Sequence, residues 1–100
     1  MPSVFVPNRG PYDYSAAERF GKLVFLTEGT VQRFAVGDLF RTIAEGMVNS
    51  SEDDYLLIYS LGILNALAAS VLARRHGKIN FLMYKNGEYM PRSVELDPLL

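Results

Sequence analysis

The sequence predicts a small α/β protein built on a Rossmann-like, mainly parallel sheet of two or three layers, ending in an antiparallel β-hairpin that supplies an edge strand. Three observations lead there. Tyr55 to Tyr84 reads as strand (Tyr55 to Tyr59), turn (Ser60-Leu61-Gly62), nearly uncharged helix (Ile63 to Arg75) and strand (Ile79 to Tyr84), the order of a βαβ unit. Those strands are apolar on both faces, which suits parallel strands covered on two sides. Asn86-Gly87 then lies between two strand-like runs, the strongest short hairpin signal a sequence carries.

Taken in order, Val4-Phe5-Val6 is a short strand closed by Pro7, and Asn8-Arg9-Gly10-Pro11 is a loop of turn formers. Ser15-Ala16-Ala17-Glu18 has capping-box spacing and opens a short helix that Gly21 stops. Leu23 to Leu26 is a second buried strand. Thr30 to Phe34 reads as hairpin return or extended loop, and the loop is favoured because the following helix and strand fit a crossover. From Val36 or Gly37 to Val48 the period is helical, with Leu39, Phe40, Ile43, Ala44 and Met47 on one stripe. Asp38 in its first turn complements the helix dipole. Beyond the hairpin turn, Glu88 to Leu96 should return antiparallel, and Pro91 demotes that strand to an edge. Residues 97–100 are a tail.

Composition narrows the function classes. At 100 residues the chain is expected to form one domain over 1–100, with 49% apolar and 21% charged residues placing it among globular proteins. It contains no cysteine, which excludes disulfides, zinc–thiolate sites and thiol catalysis. A net charge of −1 argues against nucleic acid and anionic membranes as partners. No signal pattern and no membrane-length apolar run is present, so a soluble, cytoplasmic protein is expected.

The central helix, Ile63 to Arg75, is polar only at Asn65, Ser70, Arg74 and Arg75. An apolar-sided helix rich in small residues either lies wedged in its own fold or buries that face against another chain. With so few helices to cover a two-faced sheet, self-association through this helix or a sheet face is the favoured expectation.

In an open parallel sheet, ligands collect beyond the carboxyl ends of the strands. This rule picks out Arg9, Thr27, Glu28, Arg33, Ser60 and Asn65 as the candidate ligand-binding residues, able to hold a small anionic ligand such as a nucleotide or phosphate. It sends Glu52-Asp53-Asp54, Arg74-Arg75-His76 and Lys78 to the opposite edge, the acidic run as a solvated turn and Arg74, Arg75 and His76 as dipole-complementing cations before a Gly77 cap. The Ser60 turn lacks the glycines of a dinucleotide fingerprint, the lysine of a P-loop and the pattern of a nucleophile elbow. His76, the one histidine, has no pocket to serve as a base. No catalytic residues, cofactor or metal site are expected, and the tyrosines read mostly as core and sheet-face residues.

Two function classes follow. The first is a small homo-oligomeric interaction or assembly module without catalysis, its economy in keeping with a viral accessory protein. The alternative is a binder of a small phosphorylated ligand or nucleotide at the carboxyl edge.

Overall fold

The structure, a computed structural model, describes residues 1–58 and 62–96. It is a mixed α/β fold. Strands β1 (Ser3–Val6), β2 (Lys22–Phe25), β3 (Tyr55–Leu57), β4 (Lys78–Lys85) and β5 (Glu88–Glu95) form one sheet in the order β2-β1-β3-β4-β5. The first four are parallel, and β5 returns antiparallel to β4. A 3₁₀ helix (Ser15–Phe20) connects β1 to β2, α1 (Val36–Gly46) connects β2 to β3, and α2 (Gly62–His76) connects β3 to β4.

The chain reverses direction across β1. Its first connection moves outward to β2 and its second crosses back to β3, so crossovers of one hand must lie on opposite faces of the sheet. Two core clusters follow. On one face α1 and α2 bury Leu39, Ile43, Leu64, Ala68 and Leu72 against Phe5, Leu56 and Ile79. On the other, Tyr14 and Ala17 pack on Val4, Val6, Leu57 and Leu82, with Phe20 and Tyr55 edge to face at 5.6 Å.

This second face is covered better than the sequence suggests. Val4, Val6, Leu57 and Leu82 are all fully buried beneath a 3₁₀ helix and the loop before it. The expectation that a short turn leaves the sheet bare is therefore corrected. Tyr14 supplies bulk that the small residues of the turn lack. The capping box is corrected too. Ser15 is the first helical residue, and its N–H donates to Asp13 Oδ1 at 2.9 Å, so an Asx turn does the capping.

Gly21 serves close approach. A Cβ there would stand 2.2 Å from the Pro2 carbonyl oxygen, which accepts the Lys22 N–H at 3.0 Å and starts the β1–β2 ladder. Gly77, at φ 63, closes α2 in the left-handed conformation and donates to Ala73 O at 2.9 Å, the expected C-terminal cap. Asn86 (φ 52) and Gly87 (φ 84) give the two positive φ values of a type I′ hairpin turn. Pro91 lies on β5, an edge strand.

The segment after Leu26 forms no ladder beyond an Arg9–Glu28 bridge, so 30–34 is a loop, as favoured. No helix among the described residues is long and apolar enough to cross a membrane.

Gly21→Ala is expected to lower unfolding free energy by more than about 2 kcal/mol, because backbone atoms must move. Gly37→Ala meets nothing within 4 Å and lies in the first turn of α1. That change is expected to raise stability by about 0.5–1 kcal/mol. Urea titrations of both variants measure the contrast.

Candidate functional site

Beyond the carboxyl ends of β1 and β2 the chain continues as a narrow parallel crossing. Leu26 N–H donates to Val6 O at 2.9 Å, Arg9 N–H to Thr27 O at 2.8 Å and Gly29 N–H to Arg9 O at 3.3 Å. The Thr27 hydroxyl lies 2.7 Å from Pro7 O and 2.9 Å from Asn8 Oδ1, which ties the two loops together. Arg9 stacks over Phe25, 3.7 Å from the ring centroid, and its Nε lies 3.3 Å from Glu28 Oε1.

Three of the sequence candidates (Arg9, Thr27 and Glu28) are thus brought together, largely to bind one another. Arg33 stands apart, its guanidinium 5.5 Å from the Phe34 ring. Asn65 is half-buried in the first turn of α2 and makes contacts of its own. Ser60 lies outside the described residues.

The opposite edge is structural. Asp54 is buried and accepts the Ser3 N–H at 2.9 Å on Oδ1 and the Ser51 N–H at 2.8 Å on Oδ2. Asn80 donates to the carbonyls of Glu52 (2.8 Å) and Asp54 (3.0 Å) and accepts from the Ser93 hydroxyl at 2.6 Å. The Arg75 guanidinium donates to Met47 O, the last carbonyl region of α1, and His76 Nε2 lies 2.9 Å from Ser50 Oγ. Asp54 is therefore no solvated turn residue, since its carboxylate anchors the start of β1. Among the described residues, no group of acidic or histidine side chains is placed to hold a metal.

Two further features lie outside the sequence-derived set. One is a cavity of about 410 Å³ at the carboxyl edge, lined by Tyr12, Asp13, Tyr14, Ile58, Tyr84 and Tyr89. Tyr84 and Tyr89 are cross-strand partners in the hairpin register, with rings edge to face at 5.2 Å. The Tyr14 hydroxyl accepts the Gly10 N–H at 3.0 Å and donates to Asn8 O at 3.3 Å, fixing the loop that carries Tyr12 and Asp13. Burial pushes the Tyr89 phenol above its ordinary range, with the nearby oxygens of Tyr14, Tyr84 and Asp13 adding to the effect. The Ser15 amide holds the Asp13 carboxyl below its usual range.

The other feature is the outer face of the helices. Val36, Phe40 and Val48 are 42%, 43% and 66% exposed, although Phe40 belongs to the expected core stripe. Only Leu39, Ile43 and Met47 of that stripe are buried; Ala44 lies partly buried beside Phe40. On the adjoining α2 the exposed row is Ala66, Ser70 and Arg74. The Ser70 hydroxyl donates to its own helix at Ala66 O, 2.8 Å away. Shallow grooves between the two rows involve Phe40, Ala44, Ser70, Arg74 and Arg75.

Asp54→Ala is expected to cost about 1–3 kcal/mol by leaving two amides without an acceptor, whereas Glu28→Ala, which breaks an exposed pair, is expected to cost under about 1 kcal/mol. Chemical denaturation of both variants tests that ranking. The raised Tyr89 pKa has a definite sign. The native state holds that proton more tightly than the unfolded chain, so stability falls as pH rises from about 10 towards the folded pKa. Tyr89→Phe should flatten that alkaline decline, read from thermal unfolding across the alkaline range.

No curated protein and no solved structure matches the chain. A family described as Phage Pam3 gp32-like protein matches over residues 2–98, nearly the whole chain. The protein belongs to the Phage Pam3 gp32-like family, which fits the expectation of a viral accessory protein.

Proposed function

We propose that this phage protein is a homo-oligomeric assembly module, without catalysis, that pairs two copies through the outer face of α1 and α2. One observation carries the reading: Val36, Phe40, Ala44 and Val48 recur every fourth residue along one side of α1 and its C-terminal end, and three of them are large apolar groups open to solvent. Contiguous exposed apolar surface of this kind commonly marks a contact surface. Beside it, the small side chains of Ala66 and Ser70 let another backbone come close.

The charges around the row suit a second copy of the same chain. Asp38 and Glu45 lie on α1 together with Arg41, and Arg74 lies on α2. An isologous interface repeats the same patch on both sides, so a patch that carries both signs of charge can be complementary to itself. The strand order, reversing at β1, supports a Rossmann-like description of the scaffold. The cysteine-free composition is in keeping with a cytoplasmic setting.

Size-exclusion chromatography with light scattering at micromolar concentration should give twice the 11.2 kDa chain mass. Phe40→Asp combined with Val48→Asp should return the chain mass with the fold intact by circular dichroism. A wild-type protein that elutes as a monomer overturns the proposal.

A further inference from the structure

The floor of the tyrosine-lined cavity lies on the side of the sheet away from α1 and α2, while Ile58 at its edge packs with the helical core, and assembly through the outer face of those helices makes no use of it. Tyr14 and Tyr89 belong to the core cluster beneath the 3₁₀ helix. They are only 5% and 7% exposed, so they form a fixed floor. Tyr12 and Tyr84, at 61% and 62% exposed, stand as walls. Ile58, at the end of β3, completes the apolar lining, and Asp13 is its one charged residue among the described residues.

The one charge among the described lining residues is negative. Aromatic rings are negative on their faces, and a cation held against several of them is attracted by the summed quadrupoles. Asp13 adds a full negative charge at neutral pH, where an aspartate carboxyl is ionised. Among the described residues no lysine or arginine lines the cavity. A phosphate placed here would lie beside the Asp13 carboxylate with no cation among the described lining residues to offset it.

We propose that this cavity binds an organic cation, an alkylammonium group whose charge lies against the tyrosine rings beside the Asp13 carboxylate. At about 410 Å³ it has room for such a head group and several carbons of its stem. The same chemistry is carried by a free amine and by the side chain of a lysine on a protein. The site is independent of the helical face, so the two proposals stand or fall separately.

Tyr12, Tyr14, Tyr84 and Tyr89 line the cavity, so the ring resonances of these tyrosines report on it directly. The probes are tetramethylammonium, butylammonium as a free amine, and N-acetyl-lysine methylamide as the protein side chain, with tert-butanol as the uncharged counterpart of the first. Saturable shifts of the Tyr84 and Tyr89 ring signals with at least one cation, absent with tert-butanol, are expected. The stronger of the two amine probes identifies the source. Asp13→Asn should weaken binding several-fold, and Tyr84→Ala, an exposed position that the core does not need, should weaken it tenfold or more. No saturable shift with any cation overturns the proposal, as does equal binding of tert-butanol or undiminished binding by both variants.

Discussion

The structure depends on β1 being buried from every direction. Four residues long, it has β2 on one side and β3 on the other, Phe5 in one core and Val4 and Val6 in the other. Each of these apolar side chains contributes about 1.5–3 kcal/mol on burial, so a short strand can organise a protein this size. Its ends are held by polar contacts. Asp54 accepts the first amide of the strand, and the glycine at position 21 lets Pro2 pair with the start of β2. Past its carboxyl end the pairing persists in Arg9 and Thr27. Because the chain leaves β1 to one side and returns to the other, the two faces must be covered by different connections. The thin 3₁₀ cover and the thick helical cover follow from that reversal.

The regular elements were legible because local chemistry and long-range packing agree on them. Asn86-Gly87 sets the hairpin register by backbone conformation alone, and Gly77 marks the end of α2 the same way. The period of Leu39, Ile43 and Met47 is the buried line of α1. Where sequence reading failed, two local signals competed. Ser15 to Glu18 satisfies the capping-box pattern, yet Asp13 stands two residues ahead and its shorter side chain captures the Ser15 amide first. Phe40 has the hydrophobicity of a core residue, but it falls at the margin of the stripe, where α2 offers only Ser70, Val71 and arginine stems. Periodicity cannot separate the centre of an apolar stripe from its border.

Site residues were harder to read, since an edge rule ranks positions without showing which side chains consume one another. Arg9 and Glu28 were grouped by that rule, and they do meet, with Phe25 beneath the guanidinium. Asp54 was assigned to the unused edge, but a carboxylate next to a strand start is an acceptor for free amides, and two amides take it. The tyrosine cavity went unseen although part of it was within reach. A type I′ turn at Asn86-Gly87 pairs Lys85 with Glu88 and therefore Tyr84 with Tyr89. The missing half was the loop at 11–14, which the Tyr14 hydroxyl ties locally to Asn8 and Gly10 and which meets the hairpin where Tyr14 and Tyr89 share one core cluster. No periodic pattern encodes such a placement.

The two surfaces of interest are separated by the sheet, and that separation comes from the same reversal at β1. Both helices lie on one side because the β2-to-β3 and β3-to-β4 crossovers travel in the same direction, while the single outward crossover leaves the other side to a short turn. The helical side is deep enough to bury an apolar stripe and still present a second row outward. The thin side cannot bury four tyrosines completely, and it leaves an indentation where the loop stops short of the hairpin. A two-fold contact made by the helices would turn both tyrosine cavities outward, away from the axis, each open to solvent. Binding in one would then add to binding in the other by joint attachment, raising effective affinity without any change of shape between copies. For a chain of 100 residues, such a dimer would be a bivalent particle built from one strand reversal.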